Sequence, residues 1–181
     1  MRHFIVRSFS AILFLGASIG GAAALELTSS DFSDGDYLVN KHVFNGFGCS
    51  GENKSPALSW SGAPDGTKSF ALTVYDPDAP TGSGWWHWVV VNLPADIASL
   101  PQGADEAALH GATQVKTDFG APGYGGPCPP AGDHPHRYIF TVHALDTDKI
   151  ELPEGATAAL AGFNIRAHTI ESDTLMGLYR R

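Results

Sequence analysis

Alternation of apolar and polar positions is clearest in three segments of the chain. Ser69–Asp76 (SFALTVYD) puts Phe70, Leu72, Val74 and Asp76 on one face of a strand, so three large apolar groups are followed by a carboxylate at the strand end. Trp85–Asn92 (WWHWVVVN) places Trp85, His87, Val89 and Val91 on one face and Trp86, Trp88, Val90 and Asn92 on the other. Apolar residues on both faces predict a strand covered on both sides. His136–Ala144 is rich in β-formers, and its period of two aligns His136, Tyr138, Phe140, Val142 and Ala144.

Shorter pieces complete the pattern. LELTSS and DYLVNKHVF alternate weakly around a turn cluster, ALSWSG reads as a short strand closed by APDGT, and Asp105–Leu109 can hold one helical turn. One helix is expected after Leu152: Thr157 is a plausible N-cap, with Leu160, Phe163 and Ala167 at i, i+3 and i+7 as its buried stripe. The tail TIESDTLMGLYRR can return as a last strand. With 21 glycines and 12 prolines, the composition is that of a mainly β protein with long shaped loops. No repeat or linker divides it.

The first 24 residues read differently. Arg2 and Arg7 precede the apolar run Phe9–Ile19, and Ala22-Ala23-Ala24 supplies an A-x-A cleavage signal. The run is too short to span a bilayer comfortably, and no second one follows. The expectation is a signal peptide over residues 1–24 and one exported, periplasmic or secreted domain over residues 25–181 with no integral membrane segment. Loss of the two leader arginines takes the formal net charge from −8 to −10. Such a surface repels phosphate backbones, which argues against nucleic acid as a partner. Export would place Cys49 and Cys128 where pairing is favoured, and a bridge across so long a loop is worth about 4–5 kcal/mol in the chain-entropy model. Two separate buried thiols are the alternative.

Three strands thus each deliver polar groups from an apolar face: Asp76, His87, and His136 with Tyr138. All lie near strand ends beside Gly/Pro-rich loops, which suggests one pocket. For Asp76 the competing reading is a cap on its own bend, Pro77-Asp78-Ala79-Pro80. A buried histidine such as His87 is more often a hydrogen-bonded core residue than a ligand group.

The segments FGCSGENKSPALSW, DPDAP, WWHWVVVNLP and GYGGPCPPAGDHPHRYIFTVHALD resemble, in this order, the phosphatidylethanolamine-binding protein family in its bacterial Raf-kinase-inhibitor-like branch. The match spans essentially the whole chain after the leader. It implies a sandwich of two antiparallel sheets with short peripheral helices, and a small anion pocket at one end that takes phosphate-type groups or phospholipid head groups. Matched motif by motif, the ligand-binding positions become Asp76, Asp78, Pro80, Trp85, His87, Gly126, Pro129, Pro130, His136 and Tyr138. Trp86 stands where animal members tend to carry a second histidine, and His134 is an addition whose role is open.

The chemistry of such a site follows from residue types. Glycine-rich backbone around Tyr124–Gly126 can turn N–H groups inward. His87, His136 and Tyr138 can donate hydrogen bonds, and Asp76 disfavours a dianion unless it is protonated or orients a histidine. Trp85 can face an ammonium group. Binding tighter near about pH 6 than about pH 8 is expected if the histidines protonate. The expected function is therefore a non-enzymatic binding protein without a cofactor or metal, coupled to a protein partner in some family members. The alternative is a metal-dependent hydrolase using Asp76, His87 and His136, to which strand alternation and Pro135 argue that His134 does not contribute. Hydrolysis through Ser83 or a Cys128–His136 dyad fits less well, because Ser83 lacks a strand–turn–helix setting and Cys128 lies in a proline-rich loop.

Overall fold

The computed structural model describes residues 24–181; the expected leader lies, apart from Ala24, outside them. In chain order the strands are β1 (Glu26–Thr28), β2 (Asn45–Gly46), β3 (Cys49–Ser50), β4 (Leu58–Ser61), β5 (Ser69–Asp76), β6 (Trp85–Pro94), β7 (Ser99–Leu100), β8 (Thr113–Gln114) and β9 (His136–Leu145). Helix α1 (Ala158–His168) and strand β10 (Thr169–Tyr179) close the chain. Among the described residues the fold is mainly β with one α-helix, and every strand pairing within the sheets is antiparallel.

The larger sheet has the order β10-β9-β5-β6-β8, and a smaller one the order β1-β4-β7. The predicted central strand, β5, is central, buried along nearly its whole length between β6 and β9. Leu27, Leu58, Trp60 and Leu100 from the small sheet share one core with Phe70, Leu72, Val74, Val90 and Phe140 from the large one. A second core, on the other face of the large sheet, joins Ala71, Val89 and Val91 to Ala158, Ala161 and Ile165 of α1. The tail forms β10, paired with β9 over its length. Residues 106–110 form consecutive turns, with the N–H groups of Leu109 and His110 donating to the carbonyls of Glu106 and Ala107 at 3.3 Å each.

Two details differ from the sequence pattern. Helix α1 has the expected cap, Thr157 Oγ1 accepting the Leu160 N–H at 3.2 Å. Its buried face, however, is Ala158, Ala161 and Ile165, while Leu160 and Phe163 are 39% and 73% exposed. Small residues let the helix lie close on the sheet, and Gly162 does so against Trp86, where a Cβ would stand 3.1 Å from the indole.

The second difference is in β6. Tyr75 pairs with Trp86 and Val74 with Trp88, so His87 is an extra residue, a β-bulge. The bulge breaks the period of two. Val89 and Val91 pack in the second core, with Trp86 beside them, whereas His87 turns to the face of Tyr138, with which it makes an edge-to-face contact at 5.0 Å. His87 therefore does not share a face with Val89 and Val91.

Candidate functional site

Strands β5, β6 and β9 each bring a polar residue to one end of the large sheet, and the loops after β5 and before β9 close around them. The result is a cavity of about 180 Å³. Asp76, Trp85, His87, His136 and Tyr138 line it from the strands, Pro80 from the turn after β5, and Pro129 and Pro130 from the loop before β9. Phe47 and Phe119, neither singled out in the sequence, add aromatic walls.

Asp76 fills both roles weighed for it. Its Oδ1 accepts the N–H groups of Asp78 (2.8 Å) and Ala79 (3.1 Å), which fixes the bend, and its Oδ2 lies 2.7 Å from His136 Nδ1. Both side chains of this pair are buried. Three donors thus offset the carboxylate charge before any ligand arrives.

His87 and Gly125 exchange hydrogen bonds. His87 Nδ1 donates to the Gly125 carbonyl at 2.6 Å, and the Gly125 N–H donates to the His87 carbonyl at 2.9 Å. A carbonyl only accepts, so the ring proton is on Nδ1 and Nε2 carries the lone pair. Burial is the largest influence on this imidazole and lowers its pKa to about 4. His87 is therefore neutral between pH 6 and 8, which removes it from the expected protonation effect.

Tyr138 is buried at the cavity wall, and its hydroxyl has no hydrogen-bond partner among the described residues. Burial also raises its pKa, so it stays protonated and able to donate. Among the described residues, no lysine or arginine lines the cavity.

Two predicted ligand residues lie elsewhere. Asp78 is held by Arg137, whose Nε and Nη2 reach its two oxygens at 2.9 and 2.7 Å while the Arg137 backbone N–H donates at 2.9 Å. That pairing lowers the Asp78 pKa to about 2 and commits the carboxylate to anchoring the start of β9. Gly126 packs rather than points inward: a Cβ there would stand 2.0 Å from the His42 carbonyl oxygen. Its N–H donates to Asn53 Oδ1 at 2.8 Å, and the Asn53 amide donates to the Tyr124 carbonyl at 3.1 Å. The glycine N–H groups expected to cradle an anion are thus engaged within the protein, and Asn53 is the brace that sequence reasoning missed.

The mouth of the cavity is tied together covalently. Cys49 and Cys128 form a disulfide with their Cα atoms 6.0 Å apart. This excludes Cys128 as a nucleophile. Phe47, 66% exposed and in a left-handed backbone conformation (φ 53°), rises from the β2–β3 turn beside it. The Arg181 guanidinium holds both sides, donating to the carbonyls of Pro129 (2.6 Å) and Phe47 (3.3 Å). The flanking glycines of Asn45-Gly46-Phe47-Gly48 were the available sequence signal for this exposed aromatic.

The residues of the hydrolase alternative do not assemble into an ion-holding group. Asp76 is occupied by three donors, and neither it nor His87 belongs to the cluster of close ligand atoms found among the described residues. His134 precedes β9, so strand alternation does not apply to it; its ring centroid is 5.2 Å from that of His136.

Comparison with known proteins agrees with this architecture. The sequence profile described as phosphatidylethanolamine-binding protein matches residues 28–180. The chain is 54% identical over 158 residues to the UPF0098 protein YbhB of Escherichia coli (strain K12), covering 86% of this chain and 99% of that one. It is 49% identical over 183 residues to YbcL of the same organism, covering 99% and 98%. The crystal structure of E. coli YbcL, described as a member of the mammalian PEBP family, superposes with a TM-score of 0.84 at 50% identity over 88% of this chain and 99% of that one. A homologue from Chlamydia trachomatis superposes with a TM-score of 0.74 at 36% identity, covering 87% and 98%. The chain belongs to the phosphatidylethanolamine-binding protein family.

Proposed function

We propose that this is a non-enzymatic, exported binding protein that regulates or inhibits a protein partner and whose cavity takes a small phosphate-type anion, either free or as the head group of a phospholipid. In this reading the two larger sheets are the layers of a sandwich, with the cavity at one end. The observation that carries the proposal is the Tyr138 hydroxyl, buried at the cavity wall without a partner among the described residues. A donor in that position is costly unless something in the cavity accepts from it.

The other polar groups narrow the ligand. His87 presents a lone pair on Nε2, so it accepts rather than donates. A ligand that both accepts from Tyr138 and donates to His87 fits best. A phosphate monoester monoanion does so, with one P–O⁻ and one P–OH. A dianion is disfavoured because it has no proton to give His87 Nε2, and because no lysine or arginine lines the cavity among the described residues. Trp85 at the wall can receive the ammonium of a zwitterionic head group.

The test is titration of the purified protein with phosphorylethanolamine, followed by NMR. The expected result is saturable one-to-one binding that shifts His87 and Tyr138. No saturable binding, or shifts confined to other surfaces, would sink the assignment. Parallel sedimentation with phosphatidylethanolamine vesicles distinguishes the sources: soluble binding without vesicle binding assigns the free anion.

A further inference from the structure

The geometry points to a binding site for a divalent transition-metal ion at the rim of the cavity, formed by Asp133, His134 and His136. One donor atom from each residue lies within 4.8 Å of the others. Asp133 Oδ1 is 2.8 Å from His134 Nδ1, and Asp133 Oδ2 is 3.4 Å from His136 Nε2.

His136 supplies an independent observation. Its Nδ1 faces the Asp76 carboxylate at 2.7 Å, and Asp76 already accepts two backbone N–H groups. Nδ1 is thus the donor of that pair, and in the neutral ring Nε2 carries a lone pair that meets the Asp133 carboxylate: an acceptor faces an acceptor. A metal ion between the two would take both lone pairs as ligands. Asp76–His136 also has the form in which ligating histidines are held, with the second ring nitrogen bound to a carboxylate that fixes tautomer and orientation.

The loop keeps the other two donors in place. Gly132 N–H donates to the Arg181 carbonyl at 2.9 Å, and Asp133 N–H donates to the Pro130 carbonyl at 3.2 Å. Two imidazoles and one carboxylate suit Zn²⁺, Ni²⁺ or Cu²⁺ better than Ca²⁺ or Mg²⁺, which prefer all-oxygen shells. Three protein ligands leave a coordination position for water or another small donor. The inference rests on the loop donors and on His136, and stands independently of what the cavity binds.

The probe is Zn²⁺ alone, titrated by chelator competition into protein purified without a polyhistidine tag. One ion per chain is expected, with the ring nitrogens of His134 and His136 shifting in long-range ¹H–¹⁵N spectra. Asp133→Asn and His134→Ala, both in the loop outside the cores, are each expected to weaken binding at least about tenfold. Absence of a saturable site tighter than about millimolar, or a site unaffected by both substitutions, would overturn the proposal.

Discussion

His136 Nδ1 lies 2.7 Å from Asp76 Oδ2 with both side chains buried, and the other Asp76 oxygen holds two N–H groups of the bend that follows. One carboxylate therefore joins the end of β5, the turn after it and the start of β9. Removing it strands a buried imidazole and two backbone donors together. Asp76→Ala is expected to cost about 3–5 kcal/mol in urea unfolding. A loss under about 1 kcal/mol would show that the pair is not a structural joint.

Tyr138 behaves in the opposite sense. Its ring is core, but its hydroxyl has no partner among the described residues. Tyr138→Phe is expected to leave stability unchanged within about 0.5 kcal/mol, or to raise it, while weakening phosphorylethanolamine binding about tenfold. Calorimetry on the variant separates the two quantities. Unchanged affinity would remove the hydroxyl from the site.

The pH dependence of binding is expected to follow the ligand. His87 has a pKa of about 4 and is neutral throughout the neutral range. A phosphate monoester loses its second proton near about pH 6, so the fraction able to donate to His87 Nε2 falls above that. Methyl phosphate affinity should drop by about an order of magnitude or more from pH 5.5 to 7.5. A flat or rising affinity would contradict the donor and acceptor roles given to the two residues. The direction matches the expectation from sequence, but the proton responsible is on the ligand.

Acid should destabilise the fold in two stages. A histidine whose folded pKa is lowered takes up its proton first in the unfolded chain, so its stabilising contribution is complete above about pH 6.5 and is lost as pH falls toward 4. His87 and His143 both titrate near 4, chiefly through burial. For His87 the shift corresponds to about 3 kcal/mol. Asp78 works in the next window: its pKa of about 2 means that the Arg137 pairing stabilises fully above the ordinary carboxylate range and is lost as pH falls through 2. Guanidinium unfolding midpoints at pH 7, 5.5 and 4.5 should decline steadily, less steeply in His143→Gln. A constant midpoint across that range would refute the assignment.

Much of this protein was legible along the chain. Alternation identified β5 and β9 and grouped Asp76 with Phe70, Leu72 and Val74, and His136 with Tyr138, because a strand with one face in a core repeats every two residues whatever its neighbours. The Thr157 cap is equally local. The order of motifs carried the family. Tertiary structure decided the rest. The register of β6 against β5 inserts His87 as a bulge and turns it away from Val89 and Val91, which no pattern within β6 encodes. Close approach of Ala158, Ala161 and Gly162 to the sheet, not the larger Leu160 and Phe163, sets the face of α1. The loop glycines read as anion donors because glycine permits it, yet packing against His42 and bonding to Asn53, 73 residues from Gly126, fix their use. Residue type determined which chemistry was available at this site; long-range contacts determined which atoms remain uncommitted to perform it.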